Sequence, residues 1–146
     1  MDESLPIDAV PRWFEGIHLN WAENILYSRR RDDPSDYHGT LGKEVSKVAV
    51  TEVREGNSSI REWTWAQLRD GAGRLAAALK VRRFKKGDRV ALVGANSVET
   101  LLVFLATTWL GGIFSSSSTD MGVNGIVQRT TQINPKVTPN SRVRRL

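Results

Sequence analysis

One stretch, Lys86–Ser118 (KGDRVALVGANSVETLLVFLATTWLGGIFSSSS), limits the possible folds more than any other part of this chain. A Gly-Asp turn leads into Val90-Ala91-Leu92-Val93, a short apolar run suited to a strand covered on both faces. Gly94 and Ala95 interrupt the run. Asn96 then stands three residues before Glu99, the spacing of a capping box with Asn in place of Ser or Thr. Val98, Leu101, Leu102, Leu105 and Trp109 recur at helical spacing and give one apolar face. Gly111-Gly112 can close the helix in the left-handed region, and Ile113-Phe114 opens a second strand. Two strands joined by a helix pair in parallel through a right-handed crossover. The expected fold class is therefore α/β, built around a βαβ unit in a mainly parallel sheet.

The sequence before this unit predicts a hairpin and two helices. Val48–Val53 and Ile60–Trp63 flank the turn residues Gly56-Asn57-Ser58-Ser59, which predicts an additional N-terminal hairpin. Thr64-Trp65-Ala66-Gln67 is a capping box. Leu68, Ala72, Leu75, Ala76 and Leu79 give the helix it starts, from Trp65 to about Val81, one apolar face. A shorter helix is expected over Asn20–Arg30, capped by Asn20, with Trp21, Ile25 and Leu26 turned inward. Met1–Arg12, with Pro6 and Pro11, and Asp32–Lys47 read as irregular chain. Downstream of Ser118, a short helix over Gly125–Gln132 is ended by Asn134-Pro135. Val137–Leu146 lacks apolar periodicity and is expected to be disordered or loosely attached.

Composition removes several classes of function. The 146 residues suffice for one domain. With no cysteine, disulfides and thiolate metal sites are impossible, and His18 and His38 are too far apart to show ligand spacing, so no metal is expected. The net charge is +5, but acids interrupt two of the three basic clusters: Arg29–Arg31 adjoins Asp32-Asp33, and Arg82–Lys86 adjoins Asp88. A nucleic-acid interface concentrates positive charge on one face, so no nucleic-acid partner is expected. The longest apolar zone, Val98–Phe114, carries Glu99 and two glycines and falls short of the roughly 20 residues a bilayer span needs. No membrane association is expected, and the location expected is the cytoplasm.

Two motif-like runs give no catalytic assignment. Gly71–Ala76 (GAGRLA) has the letters of a dinucleotide fingerprint, but it falls inside a helix already capped at Thr64. The fingerprint works only where a strand opens into a helix. Close helix packing is the reading adopted for these glycines, and core packing for Trp21 and Trp109. Ser115–Thr119 is a run of hydroxyls without the lysine a phosphate loop requires. It does follow a parallel strand, on the side where α/β proteins place ligands.

Ordered blocks then carry a resemblance. WFEGIHLNWAEN (Trp13–Asn24), TWAQL (Thr64–Leu68), RLAAAL (Arg74–Leu79), KGDRV (Lys86–Val90), NSVE (Asn96–Glu99) and FLATTWLGGIFSS (Phe104–Ser116) follow one another. In that order they resemble the N-terminal blocks of the acetyl- and acetoacetyl-CoA synthetases, members of the adenylate-forming superfamily. SSTDMG (Ser117–Gly122) is most similar to the acetoacetyl branch. The resemblance implies a partial N-terminal domain of an adenylate-forming enzyme over residues 13–137, an irregular segment at 1–12, and a basic tail at 138–146 outside the likeness. For complete members it implies ATP, Mg and CoA as cofactors, acetoacetate as substrate, and acyl-adenylate formation followed by thioesterification. The family's phosphate loop with its lysine, its adenine segment, its hinge and its C-terminal catalytic lysine all lie downstream of the blocks present here. The expectation is a fragment without catalytic residues and inactive alone. The CoA-side positions carried over are Ser118, Thr119, Asp120 and Gly122, although the acetyl branch's Phe-Gly-Gly loop is not preserved there. The alternative is a non-catalytic module docking on a full-length synthetase, and exposed sheet edges also suggest self-association.

Overall fold

The computed structural model describes residues 15–28, 33, 35 and 38–138. The expectations for Met1–Arg12 and for the tail beyond Thr138, together with the Trp13-Phe14 signature, lie outside the described residues. Eight main elements follow in order: α1 (Trp21–Leu26), β1 (Val48–Val53), β2 (Ile60–Thr64), α2 (Trp65–Val81), β3 (Arg89–Val93), α3 (Val98–Trp109), β4 (Ile113–Ser117) and α4 (Val123–Ile133). Among the described residues, no helix is long and apolar enough to cross a membrane.

The predicted βαβ unit is present. β3 and β4 pair in parallel with Arg89 opposite Ile113 and Val93 opposite Ser117. Val90, Ala91 and Leu92 are buried, as a strand covered on both faces requires. Gly111 ends α3 at φ +70°, a conformation that costs glycine little. The hairpin is also present: β1 and β2 pair antiparallel, with a register shift between Val48 and Val50. Thr64 caps α2 in a complete capping box, its hydroxyl accepting from Gln67 N while the Gln67 side chain accepts from Thr64 N.

Packing explains the small residues of α2. A Cβ at Gly71 would stand 2.9 Å from Leu102 Cδ2, so the missing side chain lets α2 approach α3. The core at this junction joins Ala22 and Leu26 of α1, Leu68 and Ala72 of α2, and Val98, Leu102 and Leu105 of α3. Asn20 Nδ2 donates to Trp109 O (3.0 Å), tying the start of α1 to the end of α3. Lys43 Nζ donates to Asn24 O and Tyr27 O, and Arg69 donates to Leu26 O, so two cations satisfy carbonyls at the end of α1. Burial is the main reason the Lys43 ammonium is held below its ordinary pKa, and the Arg69 charge adds to it.

Four expectations need correction. First, Ser97 rather than Asn96 caps α3, its hydroxyl accepting from Thr100 N. Second, α1 stops at Leu26 because Tyr27 turns extended and Ser28 bridges to Gly39. Third, Trp21 is 60% exposed and meets Phe104 only edge-on at 6.4 Å, while Ala22 and Leu26 take the inward positions. In so short a helix against α3, Ala22 can approach closely and the larger ring cannot. Fourth, Val137 is not loose: it forms a parallel bridge with Val90 on the edge of β3 away from β4. Lys136 N and Val137 N both donate to Arg89 O, and Ala91 N donates to Val137 O. The helix expected over Gly125–Gln132 extends over Val123–Ile133, and Asn134 closes it at φ +44°.

Candidate functional site

The loops that leave β3 and β4 emerge at the same end of the sheet because the two strands are parallel. Between them lies an open cleft of about 400 Å³. Its first wall is Gly94, Ala95, Asn96 and Thr100, after β3. Its second wall is Ser116, Ser117, Ser118, Thr119 and Asp120, at the end of β4 and beyond. Outside the carboxyl ends of parallel strands is where the α/β layout leaves room for a ligand.

The structure brings three of the four carried-over positions, Ser118, Thr119 and Asp120, to this cleft. Gly122 does not line it; that residue is the N-cap of α4. Ser118 Oγ donates to Asp120 Oδ2 (3.2 Å) and accepts from Asp120 N (3.2 Å), a closed local turn. Thr100 Oγ1 donates to Ala95 O (2.8 Å) and holds the opposite loop. Sequence reasoning missed Asn96 and Thr100 as wall residues. The available signal was positional: they follow β3 as Ser118 follows β4, at the matching strand end.

The hairpin buttresses the first wall. Glu52 on β1 accepts from Val98 N (3.2 Å), one of the free donors at the start of α3, and pairs with Arg54 at 3.3 Å. Its side chain is 9% exposed. Glu99 in the first turn of α3 is held below its ordinary pKa, chiefly by a backbone hydrogen bond and further by the Ser97 hydroxyl and by Arg54 and Arg61 of the hairpin region.

Chemically, the cleft offers hydroxyls, an amide side chain and one carboxylate, and no lysine or arginine lines it. Such a set can hydrogen-bond neutral polar groups, but it lacks the cations that gather around a triphosphate. The hydroxyl run therefore does not fit ATP with its metal. Among the described residues, no group of three His, Cys, Asp or Glu could hold a metal ion. Gly71 and Gly73 lie well inside α2, away from any strand-to-helix turn, consistent with helix packing and not with a dinucleotide site.

Comparison with known proteins agrees with this layout. The AMP-binding enzyme family model matches residues 40–139. Acetoacetyl-CoA synthetase from Xenopus tropicalis is 38% identical over 137 residues, covering 94% of this chain and 18% of the relative. Malonamoyl-CoA synthetase vrtB from Penicillium aethiopicum is 35% identical over 138 residues, with the same coverage of each. Among solved structures, acetoacetyl-CoA synthetase from Streptomyces lividans superposes with a TM-score of 0.70 at 30% identity, over 84% of this chain and 17% of that one. The chain thus spans about a fifth of the length of the curated relatives it matches. A family model matched over most of the chain, relatives aligned along nearly all of it, and the superposition with a solved acetoacetyl-CoA synthetase agree: the chain belongs to the AMP-binding enzyme family.

Proposed function

We propose that this chain is scaffold from the adenylating domain of an acetoacetate–CoA ligase. In the proposed whole enzyme, ATP and acetoacetate give an acyl-adenylate and pyrophosphate, and CoA then takes the acyl group. The observation that carries this reading is the 38% identity to acetoacetyl-CoA synthetase over 94% of the chain. The cation-free cleft supports a positioning role: with no basic side chain on its walls, no phosphoryl step is assigned to these residues. Ser118, Thr119 and Asp120 are the CoA-side candidates, through neutral groups of that ligand, with Gly122 placing the following helix.

The test is pyrophosphate exchange by the purified chain with ATP, magnesium and acetoacetate. The expected rate is background. Exchange above background would overturn the assignment of a scaffold without reactive groups. Joining the chain in frame to the remainder of an acetoacetyl-CoA synthetase is expected to give acetoacetate-dependent exchange. A joined protein that folds and prefers another acid would overturn the substrate assignment.

A further inference from the structure

We propose that Glu52 is a positioning residue for the cleft: its carboxylate fixes the start of α3 against the hairpin and thereby sets where the first wall stands. β1 and β2 form one sheet and β3 and β4 another, and no strand pairing joins the two among the described residues. The first wall therefore depends on side-chain contacts as well as on β3. Along β1, Glu52 shares a face with Val50, which packs against the core. Strand alternation calls for an apolar residue at this position. It holds instead a carboxylate whose side chain is only 9% exposed.

Stability does not explain the choice, because a well-packed apolar side chain of similar size commonly stabilises a fold as well as a buried ion pair does. What the carboxylate adds is direction. Glu52 Oε1 accepts from Val98 N (3.2 Å) and holds Arg54 Nη2 at 3.3 Å. Val98 lies between Asn96 and Thr100, and both of those line the cleft. The segment they span is braced internally: Thr100 N donates to Ser97 Oγ, and Thr100 Oγ1 donates to Ala95 O. Holding Val98 therefore holds Asn96 and Thr100 together. The second wall is closed on itself through Ser118 and Asp120. The hairpin thus sets one side of the cleft and leaves the other to β4.

Two substitutions break the contact from opposite sides. Glu52→Met keeps the length and the burial, removes the acceptor and leaves the half-exposed Arg54 to solvent. Val98→Pro removes the donor at the first helical position, where proline is tolerated. In the purified chain, amide exchange at Thr100, taken relative to Gly112 beyond the other end of α3, is expected to rise roughly tenfold or more in both variants. The same ratio for Asp120 is expected to stay within about twofold. Glu52→Gln keeps an accepting oxygen and is expected to restore the Thr100 ratio. A second measurement rests on the CoA-side reading of the cleft and uses the chain joined to the remainder of an acetoacetyl-CoA synthetase. There Glu52→Met is expected to raise KM for CoA about tenfold, the scale of a small misplacement. Acetoacetate-dependent pyrophosphate exchange, which needs no CoA, is expected to stay within about twofold, and Glu52→Gln to restore KM. A Thr100 ratio unchanged in both variants would overturn the proposal, as would a KM for CoA that Thr119→Ala raises and Glu52→Met does not. Equal losses in the two half-reactions would overturn it too, because they mark general destabilisation. If neither Glu52→Met nor Thr119→Ala moves KM for CoA, the CoA-side reading fails, and the part of Glu52 in the reaction fails with it.

Discussion

At the scale of single residues, the tightest constraint is Gly112. A Cβ there would stand 2.5 Å from the Phe84 ring and 3.0 Å from Thr107 Cγ2. Both neighbours are buried and cannot swing into solvent. Gly112→Ala is expected to cost about 1–3 kcal/mol, the range of overpacked cores, read as a lower urea midpoint. Two adjacent residues separate a cap from its neighbour. Ser97→Ala is expected to cost about 1 kcal/mol. Asn96→Ala is expected to stay within about 0.5 kcal/mol, checked in the same denaturation series. Both residues are good cap formers, so the local pattern allowed either. Ser97 wins because its hydroxyl meets Thr100 N, which leaves Asn96 free to line the cleft.

At the scale of elements, the segment after α4 is held by one polar cluster. Lys136 Nζ donates to Asp88 Oδ2 (2.6 Å) and Arg83 O (2.6 Å), and Lys85 N donates to Asp88 Oδ2 (2.6 Å). The Lys136 hydrogen bond, then that of Lys85 N, holds the Asp88 carboxyl below its ordinary pKa of 3.8. A carboxylate with a depressed folded-state pKa stabilises the fold above its unfolded value, and that contribution fades as pH falls through the folded value. Attachment of the 134–138 segment is therefore expected to be constant at neutral pH and to weaken below about pH 4. Amide exchange at Ala91, whose N–H donates to Val137 O, is the measurement. In Asp88→Asn the exchange is expected to lose that acid dependence. The hairpin, α2 and the βαβ unit were legible because hydrophobic period, capping residues and glycine position agreed. The Val137 bridge was not, because one valine two residues after Pro135 has no periodicity to read.

At the scale of the whole molecule, the core is small. Of the 13 buried apolar residues among those described, Ala22, Ala72, Ala76, Ala91 and Ala106 are alanines. Large apolar side chains stay exposed on several elements, among them Trp21, Ile60, Val81, Ile113 and Val127. Alanines bury little apolar area, and hydrophobic stabilisation scales with the area removed from water. The isolated chain is therefore expected to be marginally stable, with a low urea midpoint and measurable binding of the dye ANS. A urea midpoint typical of a full domain, with no ANS binding, would contradict this. Only part of the candidate cleft was legible. The hydroxyl run up to Thr119 was legible from its place after a parallel strand, Asp120 was reached only through a resemblance, and the opposite wall came into view only when β3 and β4 were placed side by side.

The amino-acid order alone determined the kinds of element and their sequence. Helix caps, apolar period and turn glycines act between residues close along the chain, so they can be read without coordinates. Tertiary structure alone decided which side chains turn inward at α1, which residue caps α3, where Val137 attaches and what forms the second wall of the cleft. Those outcomes depend on contacts between distant segments, such as Glu52 with Val98 and Asn20 with Trp109. Local propensity leaves such choices nearly equal in energy, and packing separates them.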